Sequence, residues 1–259
     1  MDERDDRWIA ATASALLAAE YERAPIQRLP GLTLDVAYRV QAATVARRMA
    51  GGARIVGYKA GATSQAIQDQ AGVDEPDSGV LLDDMVLHTG STLAWSVLLQ
   101  PRAEAEIAFR LGSDLAGPDI GVEEARAAVT GVCLALEVID TRFTSWHITI
   151  ADSIADNASC ARAVTGAVVP LPADLDLATE PLIVSVNGTA VATGEGRAVL
   201  GDPLRALVWL TTRLHHFGEG LRAGQLVLAG AVHASFPLER NTMLRAHSRH
   251  LPPVELHVR

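Results

Sequence analysis

Three glutamates in this sequence carry the spacing expected of metal ligands. Glu104 and Glu106 lie in Pro101-Arg102-Ala103-Glu104-Ala105-Glu106-Ile107-Ala108-Phe109, which alternates strictly. On a strand, Arg102, Glu104, Glu106 and Ala108 share one face, and Ala103, Ala105, Ile107 and Phe109 share the other. The two carboxylates then project the same way, roughly 6.5–7 Å apart along the chain. Taken alone, this stretch also reads as a half-buried strand with its charges toward water. The third glutamate argues against that. Glu137 stands inside Val132-Cys133-Leu134-Ala135-Leu136-Glu137-Val138-Ile139-Asp140, an otherwise almost wholly apolar run. A buried strand does not tolerate a lone carboxylate unless something pairs with it. If the two strands are neighbours, three carboxylates converge and repel one another until a cation neutralises them. Ligands that are all oxygen select a hard cation, Mg²⁺ or Mn²⁺ before Zn²⁺.

Lys59 is the only lysine in the chain; every other fixed cation is arginine. An ammonium can shift its pKa and pass protons, and a guanidinium cannot. The competing reading is a strand residue that buries its stem and keeps its charge in water. Near a dication the Lys59 pKa is expected to fall. Asp77 belongs to Val73-Asp74-Glu75-Pro76-Asp77-Ser78-Gly79, which reads as an acidic, solvated loop. Cys133 reads as a core residue, and the eight histidines show no metal-ligand spacing. Gly194-Glu195-Gly196 is at most a fragment of a phosphate loop.

The elements that must position these groups follow from pattern. Ile9, Ala13, Leu16 and Leu17 predict a helix over 5–20. Thr33 caps a second, 34–50, with Val36, Val40, Ala43 and Ala46 as its stripe and Gly51-Gly52 as its stop. Residues 54–60 predict a strand. Ser64 is placed as the cap of a short helix over 65–70. Strands are expected at 79–82 and 92–99, and a helix at about 122–129. Residues 141–160 show no clean period and read as a loop folded under a site. Asn187-Gly188 predicts a hairpin turn between 182–186 and 189–193. Asp202 and Pro203 open a helix that Gly218 ends, and strands close the chain at about 225–229 and 254–258. Strands and helices do not alternate regularly, which disfavours a doubly wound parallel fold. The expected class is α+β, a β-rich body over 86–259 behind a helical and mixed N-terminal region over 1–85.

The 259 residues are 49% hydrophobic, enough for a sizeable core. A net charge of −9 disfavours nucleic acid as a partner but not a small anion held by a local cation. Two cysteines, no apolar stretch of membrane length and an N-terminus, Met1 to Arg7, without an export-signal pattern predict a cytoplasmic protein.

The motifs Gly57-Tyr58-Lys59-Ala60-Gly61-Ala62-Thr63-Ser64, Gly72 to Asp77, Gln100 to Ile107, Leu136 to Asp140, Ala155-Asp156-Asn157-Ala158-Ser159 and Val199 to Leu204 occur in order. Together they resemble the 2-hydroxypenta-2,4-dienoate (2-keto-4-pentenoate) hydratases and 4-oxalocrotonate decarboxylases of the fumarylacetoacetate hydrolase superfamily. The resemblance runs from the first helix to about residue 238. It implies a distorted mixed β-roll and a homo-oligomer, a pentamer or decamer. It also implies Mg²⁺ or Mn²⁺ on Glu104, Glu106 and Glu137, with Lys59 and Asp77 catalytic and Ser159 and Lys59 at the substrate. Three stretches depart from the pattern: Ser78, where the hydratases carry an aromatic; Leu228 to His233, without the usual Thr before Gly; and Ser248 to Pro253, in place of a Gly-rich turn.

The expected activity is hydration of a 2-hydroxy-2,4-dienoate to a 4-hydroxy-2-oxo acid. The Glu-Pro-Asp loop and Gln-Pro-Arg lead-in favour it. The first alternative is decarboxylation of a 4-oxalocrotonate-like 2-oxo-hexenedioate at the same metal. The second is an inactive oligomeric binding protein on the same fold.

Overall fold

The computed structural model describes residues 5–73 and 75–259. The reading of the first four residues, and of Asp74 in the acidic loop, lies outside them.

The chain runs α1 (Asp6–Glu22), α2 (Leu34–Ala50), β1 (Ile55–Gly61), α3 (Gln65–Ala71), β2 (Asp77–Leu82), β3 (Val86–His88), β4 (Ser91–Leu93) and β5 (Arg102–Leu111). Then come α4 (Val122–Ala128), β6 (Val129–Ile139), α5 (Ile150–Ala155), β7 (Cys160–Thr165), β8 (Pro181–Val186) and β9 (Thr189–Glu195). The chain ends with α6 (Leu204–His215), β10 (Leu226–Ala231), β11 (Phe236–Pro237), β12 (Thr242–Ser248) and β13 (Val254–Val258). The strands form two mixed sheets. The larger has the order β2-β1-β10-β5-β6-β7-β3, with β11 added on β5; the smaller has the order β4-β13-β12-β8-β9. This is the expected α+β body. β1 and β2 belong to the large sheet, because β1 pairs in parallel with β10. A boundary near residue 85 therefore divides the chain but not the sheet.

The main core includes Phe109, Leu134, Leu136, Leu228 and Leu256, all fully buried. A second core joins α1, α2 and α5 through Ile9, Leu16, Val36, Val40, Phe143 and Ile154. The α2 stripe is rotated from the expected one: Ala46 is exposed, and Gln41 and Val45 are buried instead. Gln41 turns inward because it has backbone to bind. Its Nε2 donates to the Ser78 carbonyl at 2.8 Å and to that of Ile154 at 3.0 Å.

Two expectations need correction. The strand over 92–99 is only Ser91–Leu93 plus a 3₁₀ turn over Trp95–Val97, since β13 offers pairing to three residues alone. The loop over 141–160 contains α5, started by a reciprocal cap between Thr149 and Asp152. After α5, Asn157, Ala158 and Ser159 all adopt left-handed backbone, with φ of 55°, 50° and 54°. Such a run of non-glycine residues is costly and survives only where surroundings hold it. Here Asn157 does the holding. Its side-chain amide accepts from the Val80 N–H at 2.8 Å and donates to the Val80 carbonyl at 2.9 Å. β2 is the sheet's edge, so this amide supplies the pair of bonds that a further strand would give.

Candidate active site

Register places the acids. Glu104 on β5 lies directly opposite Glu137 on β6, and Glu106 pairs with Ala135 on one side and Ala231 on the other. One ligand oxygen from each of Glu104, Glu106 and Glu137 lies within 4.8 Å of the other two. Glu106 and Glu137 are fully buried, yet Glu106 Oε1 and both Glu137 oxygens have no hydrogen-bond partner among the described residues. Only Glu106 Oε2 is satisfied, by the Gly230 N–H at 2.7 Å. Buried carboxylate oxygens do not go unpaired without reason. Three of them, converging, fit a hard divalent cation. With carboxylates alone, burial and then the charge of Glu137 push the Glu104 pKa up to about 8. The same causes, with Glu104 added, raise Glu106 well above the carboxylate range.

Lys59 reaches the cluster from β1. Its Nζ lies 3.6 Å from Glu137 Oε1 and is buried. The lowered pKa expected from the sequence is not what the carboxylates alone impose. Burial pushes the ammonium down, but Glu137, Asp77 and Glu104 outweigh it and hold the pKa above the usual lysine value.

Asp77 is not in a solvated loop. It is the first residue of β2, paired with Gly61 of β1, and it is buried. Ser153 Oγ of α5 donates to Asp77 Oδ2 at 2.8 Å, and Oδ1 has no partner among the described residues. Gly61 explains how Asp77 and Lys59 come together. A Cβ at Gly61 would sit 2.1 Å from Asp77 Oδ1 and 2.9 Å from Lys59 Nζ, so only glycine leaves room. Ser159 Oγ is also buried and has no hydrogen-bond partner among the described residues; it stands in the left-handed turn.

These groups meet at one cavity of about 190 Å³. Lys59, Asp77, Glu104 and Ser159 line it, and Glu106 and Glu137 are buried in the cluster with Glu104. The lining also includes the apolar Ile67, Val73, Ile148 and Ile150. Sequence reasoning missed Ser153, Trp146, Gln70, Ser235 and these apolar residues. Only the Thr149–Asp152 spacing could have pointed to α5 and hence to Ser153. Ser64 sits at the start of α3, but its hydroxyl makes no cap bond. His233 is neutral scaffolding. Burial lowers its pKa, its Nε2 accepts from the Ala105 N–H at 3.2 Å, and its Nδ1–H therefore points to the Ala234 carbonyl at 2.9 Å. Arg142 donates to the carboxylate and carbonyl of Asp156, the residue just before the turn.

The arrangement can hold a dication, bind a small acid against it, and move protons on one side of the bound molecule. A family model described as fumarylacetoacetate (FAA) hydrolase C-terminal matches residues 53–259. The sequence is 40% identical over 239 residues to a 2-keto-4-pentenoate hydratase of Paraburkholderia xenovorans, covering 91% of this chain and 89% of that protein. It is 42% identical over 188 residues to a 2-hydroxypent-2,4-dienoate hydratase of Pseudomonas putida, covering 72% and 85%. Among solved structures, the 4-oxalocrotonate decarboxylase of Pseudomonas putida G7, complexed with magnesium and adipate, superposes with a TM-score of 0.94 at 31% identity over 99% of both chains.

Proposed function

The chain belongs to the fumarylacetoacetate hydrolase family, and from that premise we propose a hydro-lyase that adds water to a 2-hydroxy-2,4-dienoate to give a 4-hydroxy-2-oxo acid. The observation that carries this reading is the meeting of Lys59 and Asp77 at the lip of a buried three-carboxylate cluster. The 40% identity to proteins named as hydratases of such dienoates supports the same reaction. Glu104, Glu106 and Glu137 are the residues that would hold Mg²⁺ or Mn²⁺; the unpaired oxygens of Glu106 and Glu137 support that assignment. When bound, the cation supplies Lewis-acid polarisation to an oxygen of the substrate.

The protein's own groups divide the proton work. Asp77 Oδ1, free of partners, takes the proton of the C2 hydroxyl. Lys59, whose Nζ lies 3.6 Å from Glu137 Oε1 at the cluster, delivers a proton to C5, so the dienol becomes a 2-oxo-3-enoate. Water then adds at C4 and gives its spare proton back to Lys59, while the Asp77 carboxyl passes its proton to C3, which completes the hydration with both groups restored and no other reactant. Ser159 Oγ orients the substrate by a hydrogen bond. The apolar lining residues exclude bulk water.

A second reading, decarboxylation of a 2-oxo-hexenedioate, is favoured by the likeness to the decarboxylase over the full chain. It would use the same three glutamates. Incubating the protein with Mg²⁺ or Mn²⁺ and each acid, with product identification, separates the two. Loss of the dienoate absorbance with a hydroxy-oxo acid as product supports hydration. Carbon dioxide release from the diacid with the dienoate untouched overturns it. No turnover of either acid returns the chain to a binding role.

We also propose a homo-oligomer, a pentamer or decamer, acting in the cytoplasm. Strand β9 supports assembly: it is the open edge of the smaller sheet and leaves Val191 47% exposed. Light scattering tests it, and a monomer at micromolar concentration overturns it. No helix among the described residues is long and apolar enough to cross a membrane.

A further inference from the structure

The two glutamates of β5 are supported unequally on their two sides. Toward β6 the pairing is regular from Arg102 to Arg110. Toward β10 it slips. Leu228 faces Ala108 and Ala231 faces Glu106, so three steps along β10 match two along β5. One extra residue in one strand is a β-bulge, a device that re-aims groups beside active sites. Here it falls beside Glu106.

Gly230 stands in the bulge at φ of 107°. A Cβ there would lie 1.8 Å from Thr63 Oγ1 and 3.0 Å from the Ala60 carbonyl oxygen, so conformation and space both demand glycine. Its N–H donates to a side chain instead of a strand carbonyl: it meets Glu106 Oε2 at 2.7 Å. The two oxygens of Glu106 are thereby told apart. Oε2 is spent on the bulge, and Oε1 is the one left without a partner among the described residues.

The Ala105 N–H, between the two glutamates, is also taken by a side chain. It donates to His233 Nε2 at 3.2 Å. The Nδ1–H of the same ring goes to the Ala234 carbonyl at 2.9 Å, and the ring stacks on Phe236 with centroids 5.9 Å apart. Phe236 in turn pairs with Ala103 on β5. A buried imidazole bonded at both nitrogens is a fixed acceptor, able to replace a ladder carbonyl. A regular β10 would satisfy the same backbone with neither a special glycine nor a buried histidine. What the bulge adds is the direction of Glu106.

We propose that the bulge in β10 sets the metal site: Gly230 and His233 are positioning residues that hold the Glu104-Ala105-Glu106 segment and turn a single oxygen of Glu106 to a Mg²⁺- or Mn²⁺-class cation. This rests on the reading of Glu104, Glu106 and Glu137 as ligands and extends it to the residues that orient them.

The test titrates Mn²⁺ into the metal-stripped protein with no substrate present and follows the electron paramagnetic resonance signal of the free ion. Losing a group that orients a ligand should weaken Mn²⁺ binding about 10- to 100-fold in Gly230→Ala and in His233→Phe, which keeps a flat ring on Phe236 but has no acceptor. His233→Gln returns an acceptor oxygen at the place of Nε2 and should recover the affinity to within a few-fold of wild type. A merely structural bulge would lower the melting temperature in chelator and leave the Mn²⁺ affinity alone. Affinities within about two-fold of wild type in both Gly230→Ala and His233→Phe overturn the proposal. So does a His233→Gln variant as weak as His233→Phe. A wild type that takes up no Mn²⁺ overturns the metal reading itself and this inference with it, which tells the two failures apart. Should Gly230→Ala fail to fold by circular dichroism, the His233 pair decides, and an unchanged affinity in His233→Phe overturns the proposal.

Discussion

Replacing Asn157 by alanine should cost this protein a large share of its stability, although the residue touches no reacting atom. Its amide makes two bonds to Val80, at 2.8 and 2.9 Å, on the outer edge of β2. The variant leaves a buried N–H and a buried carbonyl without partners, at about 1–3 kcal/mol each. It also puts alanine at φ of 55°, which costs about 1–2 kcal/mol that asparagine largely escapes. Partial relaxation trims both ranges, so the expected loss is about 3–6 kcal/mol. That compares with a total of about 5–15 kcal/mol for a typical domain. Urea denaturation of wild type, Asn157→Ala and Asn157→Gly reads it directly. The glycine variant relieves the backbone but not the bonds, so it should be about 1 kcal/mol milder than alanine. An alanine variant within 1 kcal/mol of wild type would refute the view that this amide stands in for a missing strand.

Glu106→Gln should abolish activity and leave the melting temperature of the metal-stripped protein unchanged or higher, because it removes an acid whose ionisation burial and its neighbours oppose; a stripped wild type with full activity would sink the metal mechanism. Lys59→Arg keeps the charge but not the easy proton transfer and should lower kcat at least ~100-fold, whereas a rise in KM alone would make Lys59 a binding residue. Gly61→Ala should push Asp77 away from Lys59 and reduce kcat while circular dichroism stays native; undiminished kcat would show that the close approach is dispensable. In chelator, stability should fall as pH rises. The folded Glu104 pKa of about 8 stands above its ordinary 4.5, so the contribution is full below 4.5 and lost as pH passes 8. Melting curves with and without Mg²⁺ between pH 5 and 9 check this, and parallel curves would contradict it.

Much of the site was legible because its strands are simple. The alternation in β5 announced Glu104 and Glu106, and the apolar run around Glu137 made its carboxylate conspicuous. What the sequence could not place was anything set by distant packing. Asp77 stands among acids and turn formers, which read as loop. Its strand exists because β1 pairs with one edge while Gln41 and Asn157, from remote segments, satisfy the other. Helix α5 escaped because it is six residues long and has its burying partners in α1 and α2. The expected strand over 92–99 failed for the opposite reason: Val97, Leu98 and Leu99 are apolar, but no strand among the described residues pairs with them. Gly230 and His233 meet Glu106 and Ala105 from 124 and 128 residues along the chain, so no spacing rule could have joined them.

The solitary lysine has a consequence outside catalysis. Apart from the amino terminus, the folded protein presents reagents with no primary amine, since Lys59 is only 4% exposed and the other fixed cations are guanidinium groups. Enzymes that acylate or conjugate lysine find no substrate on its surface. An amine-reactive ester can reach Lys59 only by entering the cavity that this residue lines. The slow growth of that one adduct, followed by mass spectrometry, would serve as an intrinsic clock for how readily the cavity admits a small molecule.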